Sequence, residues 1–160
     1  MSTPESLDDL DARLISLLTT RPQIGVLGAS RELGVARGTV QARLDRLLRR
    51  GVISSLAPTV DPHALGYPVT AFCTLAIRQQ SGHEDLLEHL RGIPEVLEVH
   101  TITGDGDLMV RVVARDNPDL QRVIDLVVST GIVTRTSTVI ALAELMARRT
   151  EPLVQAAAQS

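Results

Sequence analysis

The strongest constraint on the fold is the spacing of apolar residues between Ser30 and Gly51. In the second half of this segment the apolar residues recur every three or four positions, which places them on one face of a helix. This predicts a helix from about Arg37 to Arg50 whose buried stripe is Val40, Leu44, Leu47 and Leu48. A tight turn at Gly34 separates it from a shorter helix. Two short helices joined by a glycine turn are typical of a helix-turn-helix, whose second helix enters the major groove of DNA.

The opposite face of the predicted second helix carries small, hydroxyl and arginine side chains. We expect the following residues to approach the groove or the phosphates: Arg37, Gly38, Thr39, Ala42, Arg43, Arg46, Arg49 and Arg50. Short side chains allow close approach to bases, and arginine can donate two hydrogen bonds to guanine. Two alternatives stay open. The segment also fits an ordinary helical hairpin with a solvated basic face, and Arg43 also fits an ion pair that braces the domain.

Charge is distributed unevenly along a chain whose formal net charge is -3. Between Arg31 and Arg50, six arginines face two acids, a local net charge of +4. From His63 onward, eight arginines face twelve acids, a net charge of -4. Positive charge is therefore concentrated at the predicted helix-turn-helix, as DNA binding requires.

The rest of the chain predicts an α+β protein. A short N-terminal leader precedes a first helix at about Asp8–Thr19. After the second and third helices, alternating patterns predict strands at 69–77, 96–103, 108–114 and 133–142, with helices at 83–91 and from Asn117 to just before Gly131. The order β-α-β-β-α-β is that of a ferredoxin-like sandwich of two helices on a four-stranded antiparallel sheet.

These elements predict four parts. They are an N-terminal winged helix-turn-helix domain at 1–51, an extended wing or linker at 52–66, a ferredoxin-like domain at 67–149, and a C-terminal tail at 150–160. Turn-forming residues around Asp61-Pro62 mark the boundary.

Composition limits the classes of function. Phe72 and Tyr67 are the only aromatic residues, so an RNA-binding sheet, which stacks bases on aromatics, is disfavoured. Cys73 is the only cysteine, which fits a reducing cytoplasm. No apolar stretch reaches the ~18 residues of a membrane span. We find no set of residues typical of catalysis and expect no enzyme activity, metal or cofactor.

Gly104-Asp105-Gly106-Asp107 separates two predicted strands. Asp-Gly between apolar strands is typical of a hairpin turn. The same residues also suit a free amino acid, because glycine amides can hold a carboxylate while an aspartate holds an ammonium group. The turn lacks the further oxygen ligands of a calcium loop and the Gly-Lys-Ser/Thr ending of a phosphate loop.

Three motifs in this order resemble the leucine-responsive/asparagine-regulator (Lrp/AsnC) family of transcription regulators, over about residues 7–149. They are Leu10-Asp11-x-x-Leu14-Ile15, then Thr39-Val40-x-x-Arg43-Leu44-x-x-Leu47 followed by Gly51-Val52-Ile53, and the Gly-Asp-x-Asp turn. The sequence departs from the family at two positions. Gly106 stands where relatives usually carry an aromatic residue, and Ala36 stands where they usually carry the serine that caps the recognition helix.

The resemblance implies a homodimer that assembles further, commonly to an octamer, and binds double-stranded DNA. It implies an amino-acid effector bound between subunits at Gly104, Asp105, Gly106 and Asp107, with polar contacts from the last strand at Thr134, Thr136 and Ser137. We therefore predict a cytoplasmic, sequence-specific transcriptional regulator controlled by an amino acid. The alternative is an effector-sensing oligomerisation module of amino-acid metabolism with little or no sequence-specific DNA binding.

Overall fold

A computed structural model of the chain describes residues 7–78 and 83–159. The predicted leader therefore lies outside the described residues, except for Leu7. The elements, in chain order, are α1 Asp9–Thr20, α2 Gly25–Leu33, α3 Arg37–Arg49, β1 Val69–Ile77, α4 His83–Arg91, β2 Val96–Thr101, β3 Leu108–Ala114, α5 Asn117–Val128, β4 Val133–Ala141 and α6 Glu151–Ala158. They form two compact units, one with α1–α3 and α6, the other with the four strands, α4 and α5.

The first unit packs α1, α2 and α3 around a small aliphatic core. Its buried members are Leu14, Ala29, Val40, Leu44 and Leu47, so the stripe predicted for α3 faces this core; only Leu48 is half-buried. The core holds the three helices of the predicted helix-turn-helix.

Glycine geometry sets the turn between α2 and α3. Gly34 follows α2 with φ +69°, a conformation that residues with a side chain rarely adopt. The Val35 amide then donates to the Ser30 carbonyl at 3.1 Å. The next helix begins after Ala36, which makes no side-chain hydrogen bond to the helix end. The expected loss of a capping hydroxyl is thus confirmed.

The segment predicted as a wing or linker contains no strand. Residues 52–66 are irregular apart from a short 3-10 helix at His63–Leu65. Pro58 and Pro62 lack the backbone N–H that a strand would donate.

The C-terminal tail forms a helix that the sequence patterns did not predict. α6 packs against α1, and the hydroxyl of Ser16 donates to the carboxylate of Glu151. A proline in its first turn and a run of alanines favour this helix, but eight residues are too few to show a clear apolar period.

The second unit has the predicted β-α-β-β-α-β order. Its antiparallel sheet has the strand order β2-β3-β1-β4. One face of the sheet shares a buried cluster with α4 and α5, built from residues such as Cys73, Val110, Leu86, Leu90 and Val123. The predicted strand at 96–103 ends two residues early, at Thr101.

The other face of the sheet is only partly covered. Cross-strand register places Phe72 beside Arg111 and Val139, while Thr74 lies beside Met109 and Ser137. Because side chains alternate between the faces of a strand, these residues share the face that points away from α4 and α5. We call it the open face. Phe72 and Met109 are half-buried there, and Val139 is 62% exposed.

Ala36→Ser should stabilise the first unit by about 1 kcal/mol, because a serine hydroxyl can accept from the free amides at the start of α3. Urea unfolding followed by circular dichroism measures the change. Ala42→Ser is the matched control: Ala42 is exposed within the same helix, where serine only lowers helix propensity. Equal effects of the two substitutions would contradict the capping explanation.

Candidate DNA-binding face and ligand-binding turn

A buried carboxylate joins α1 to α3. Asp11 has no exposed surface, and its two oxygens accept from two arginines of α3. Arg43 Nη1 lies 2.8 Å from Oδ1, and Arg46 Nη2 lies 2.6 Å from Oδ2. A buried charge is tolerated only when it is paired and hydrogen-bonded, so these contacts fix α3 against α1.

Arg43 makes a second ion pair, with Asp8 at 2.6 Å. This contact is the main reason why the pKa of Asp8 lies below its usual value, and it raises the pKa of Arg43. Asp8 also caps α1 by accepting from the Asp11 amide at 2.8 Å. The first turn of α1 is therefore tied to α3 through Arg43, as the ion-pair alternative predicted.

The pairing changes how two predicted groove residues are interpreted. The side chains of Arg43 and Arg46 are only 24% and 37% exposed and are directed to α1. Their ion-pair partners lie 32 and 35 residues away in sequence, so no local pattern reveals them. Their first role is to hold the recognition helix, and only Arg46 keeps substantial exposed surface.

The rest of the predicted face is accessible. Arg37, Gly38, Thr39, Ala42 and Arg49 are exposed, and Arg50 is half-buried. A side chain placed on Gly38 would meet nothing within 4 Å, so the backbone there is open to a partner. Together these residues form a shallow surface of small and basic groups along α3.

Gln41 is an exposed residue of α3 that we did not predict to be part of this face. Its amide donates to the carboxylate of Asp45 at 2.8 Å, one helical turn away. A glutamine amide can pair with adenine in the major groove. Its exposed position on α3, next to Ala42, was the signal that could have identified it.

The turn at residues 104–107 packs closely on the end of β1. The Asp107 amide donates to the Leu75 carbonyl, and the Asp107 carboxylate accepts from the Ile77 amide, both at 2.8 Å. Gly104 has φ +110°. Both aspartates are exposed, but Asp107 holds the turn in place, whereas the carboxylate of Asp105 accepts no hydrogen bond from the part of the chain that the structure describes.

Close packing explains why glycine stands between the two aspartates. A Cβ on Gly106 would lie 2.4 Å from Thr74 Cγ2 and 3.2 Å from the Leu75 carbonyl oxygen. Any larger residue here would therefore require the Thr74 side chain to shift and the Leu75 carbonyl to adjust. The glycine therefore lets the turn pack directly on Thr74.

The predicted contacts from β4 are divided between its two faces. Thr136 lies opposite Leu75 and Ser137 lies opposite Thr74, so these two are on different faces of the sheet, whereas Thr134 lies at a register shift between β1 and β4. The Thr134 hydroxyl donates to the Ala76 carbonyl at 3.1 Å. Its hydrogen is therefore already used in a hydrogen bond. Sequence reasoning missed Arg135, whose Nη2 donates to the Asp105 carbonyl at 2.6 Å.

The described part of the second unit contains surface depressions, two of which lie near charged residues or the turn. One, of about 580 Å³, lies between α4 and α5 and is lined by Glu88, His89, Glu95 and Arg122, among others. The other, of about 520 Å³, is lined by Thr101, Ile102, Thr103 and Met109. The Ile102 amide donates to the Asp107 carbonyl, so the second depression adjoins the turn.

Three further features of the described residues bear on function: the cysteine, possible metal ligands and the length of the helices. Cys73 is fully buried, and burial raises the pKa of its thiol, so it is not poised as a nucleophile. Within residues 7–78 and 83–159, His, Cys, Asp and Glu side chains form no group of three or more that could hold a metal ion. In the same ranges, none of the helices has the length and apolar character that a membrane span requires.

Comparison with known domain families gives two matches. The AsnC-type helix-turn-helix domain matches residues 7–48, and the Lrp/AsnC ligand binding domain matches residues 70–151. The first match spans α1, α2 and most of α3. The second covers the whole sheet unit from the second residue of β1 onward, including the turn at 104–107.

Individual relatives agree with these matches. The HTH-type transcriptional regulator FL11 of Pyrococcus furiosus is 32% identical over 85% of this chain and 89% of its own length. The structure of Escherichia coli AsnC superposes with a TM-score of 0.83 at 24% identity, covering 92% of this chain and 100% of that one. The feast or famine regulatory protein (Rv3291c) of Mycobacterium tuberculosis, complexed with L-methionine, gives a TM-score of 0.79 at 25% identity and covers 90% and 97%.

Asp11→Asn should destabilise the first unit by about 3 kcal/mol, because it leaves two arginines facing a neutral amide. Denaturant unfolding followed by helical circular dichroism gives the value. Asp9→Asn is the matched control, since Asp9 is 87% exposed in a surface ion pair with Arg13 and should change stability by less than about 0.5 kcal/mol. A loss no larger than that of the control would mean that Asp11 does not hold the helices together.

Proposed function

The chain belongs to the Lrp/AsnC family of transcriptional regulators, and we propose that α3 reads operator DNA while the turn at 104–107 binds a free amino acid that modulates DNA binding or assembly. The observation that carries the proposal is the exposed, small and basic surface of α3, held in place by a buried carboxylate on α1. DNA binding is assigned to residues 1–51 and effector binding to residues 67–149.

The accessible face of α3 suits the major groove. Thr39 and Ala42 are short and exposed, so the helix can approach base edges closely, and Arg37 can contact a phosphate or a guanine. Arg49 lies further along the helix and is placed for phosphates. Arg43 and Arg46 act mainly through Asp11, by fixing the angle at which α3 is presented.

The turn suits the two charged ends of an amino acid. Asp105 offers an exposed carboxylate for an ammonium group. The complex of the M. tuberculosis relative with L-methionine supports an amino acid as the class of effector. Thr136 and Ser137 are exposed on β4 and remain candidates for further polar contacts.

The open face suits a second copy of the chain. Phe72, Met109 and Val139 give it an apolar part, and a symmetric dimer would bury the same surface on both subunits. Next to Met109, His100 lies 3.3 Å and Arg111 3.1 Å from the carboxylate of Glu98. We infer a homodimer in the cytoplasm that assembles further, commonly to an octamer in this family, with no catalytic step.

One observation favours the alternative of an effector-sensing module with little sequence-specific DNA binding. Two of the six arginines in the basic segment are held by carboxylates of α1, which reduces the charge available to phosphates. Measurement of DNA affinity decides between the two functions.

Ala42→Glu should weaken binding to the operator about tenfold or more, because it places a carboxylate on the face that meets the phosphates and bases. Arg37→Ala should weaken it several-fold and lower its dependence on salt. The operator is obtained by selecting randomised duplexes with the wild-type protein, and affinity is measured by fluorescence anisotropy.

Arg91→Ala is the control for these variants, since Arg91 is exposed on α4 of the other unit; its DNA affinity should equal that of the wild type. If wild-type protein selected no sequence, the alternative function would be favoured. Unchanged affinity in both α3 variants would place the DNA-binding face elsewhere.

Asp105→Ala should abolish the effect of the amino acid on DNA binding and on oligomer size, because the ammonium group loses its counter-charge. The effector is first identified by a thermal-shift panel of the twenty amino acids on the wild type, and oligomer size is followed by light scattering. Asp125→Ala, an exposed aspartate of α5, is the control. A normal response of Asp105→Ala would move the site away from the turn.

A further inference from the structure

We propose that Arg135 is a specificity-determining residue of the effector site and binds the α-carboxylate of the amino acid while Asp105 binds its ammonium group. The inference rests on the proposed effector function and deepens it. It adds a side chain of β4 to the glycine amides as a group that recognises the carboxylate. The ligand class is then free α-amino acids, as opposed to their amides, esters or decarboxylated amines.

The position of Arg135 is fixed by the turn itself. Its Nη2 donates to the Asp105 carbonyl at 2.6 Å, so the guanidinium lies beside the residue that carries the free carboxylate. A guanidinium has five N–H donors. Among the described residues, no other contact occupies those of Arg135, and the side chain is exposed. Donors therefore remain for a ligand.

One backbone donor of the turn and one of its two carboxylates are already used in packing. The Asp107 amide is bound to the Leu75 carbonyl, and the Asp107 carboxylate is bound to the Ile77 amide. Asp107 therefore serves the packing of the turn on β1. Arg135 and Asp105 are left as an opposite-charge pair whose side chains make no ion pair with each other.

The charges of this pair complement those of an amino acid. In an amino acid, the carboxylate and the ammonium group are attached to the same carbon and lie within a few ångströms of each other. The guanidinium of Arg135 and the carboxylate of Asp105 can be equally close, because these two residues are neighbours. An arginine can bind a carboxylate through two parallel hydrogen bonds, which are charge-assisted and directional. One guanidinium N–H bonded to the Asp105 carbonyl limits the rotation of the group.

The surroundings leave room for the rest of the ligand. Gly106 packs directly against Thr74, so the space for the ligand lies beside the turn and not above Thr74. Arg135 lies opposite Ala76 on β1, and Ser137 lies opposite Thr74. Arg135 and Ser137 are therefore on the same face of the sheet, the open face. The depression at Thr101, Ile102, Thr103 and Met109 adjoins this face and can take the side chain of the amino acid.

The test compares an amino acid with its α-carboxamide. The amino acid that the thermal-shift panel identifies and its amide are titrated by calorimetry into the full-length wild type, Arg135→Gln and Arg135→Lys. Wild-type protein should prefer the acid about tenfold or more, as expected for a charge-assisted pair. Arg135→Gln should bind acid and amide equally well, and Arg135→Lys should retain part of the preference. Arg91→Ala is the control and should keep the wild-type ratio.

The ratio of acid to amide separates recognition from folding, because a general loss of structure weakens both ligands alike. Circular dichroism confirms that the variants fold, and Arg135→Lys gives the answer if Arg135→Gln does not fold. If Arg135→Gln had the same ratio of acid to amide affinity as the wild type, the inference would be wrong, and the proposed function would still stand. The same holds for Arg135→Lys if that is the only variant that folds. If none of the twenty amino acids bound wild-type protein, the proposed effector function itself would be wrong.

Discussion

The first unit depends on a carboxylate that has no contact with solvent. Asp11 is buried on α1, and it is stable there only because Arg43 and Arg46 reach it from α3. Aliphatic packing alone would let two helices settle at several angles, whereas two directional ion pairs to one carboxylate permit few. The exposed face of α3 is therefore oriented by charge. The arginines that do this lie in the basic segment from which a DNA-binding helix is predicted, so part of the positive charge of that segment holds the fold together.

Periodicity predicts much of the fold because burial repeats at regular intervals. The stripe of α3 and the four strands follow from it directly, and family resemblance confirms the order of the two domains. The role of Arg46 could not be predicted in this way, since its partner lies far away in sequence. α6 was missed because it is short, and because the surface that stabilises it belongs to α1.

The roles of the individual residues in the turn at 104–107 could not be predicted from the sequence either. Its sequence suggests two aspartates with equal roles, but Asp107 holds the turn on β1 while Asp105 remains exposed. Gly106 stands where an aromatic residue is usual, yet a Cβ there would lie 2.4 Å from Thr74 Cγ2, so a larger residue would require Thr74 to shift. Arg135 has no motif of its own and is identified only by its contact with the Asp105 carbonyl. Hydrogen-bond partners therefore assign these roles where residue identity does not.

The docking of α6 on α1 has a consequence for the order of folding. The hydrogen bond from Ser16 to Glu151 joins residues separated by 135 positions, so the first unit is built from two distant stretches of chain. During synthesis, α1, α2 and α3 leave the ribosome early and can pack on their own. The surface of α1 that receives α6 stays uncovered until the entire sheet unit has been made. The contact of α6 with α1 joins residues that are far apart in sequence. We therefore expect it to form more slowly than the local packing of α1, α2 and α3, which precedes it.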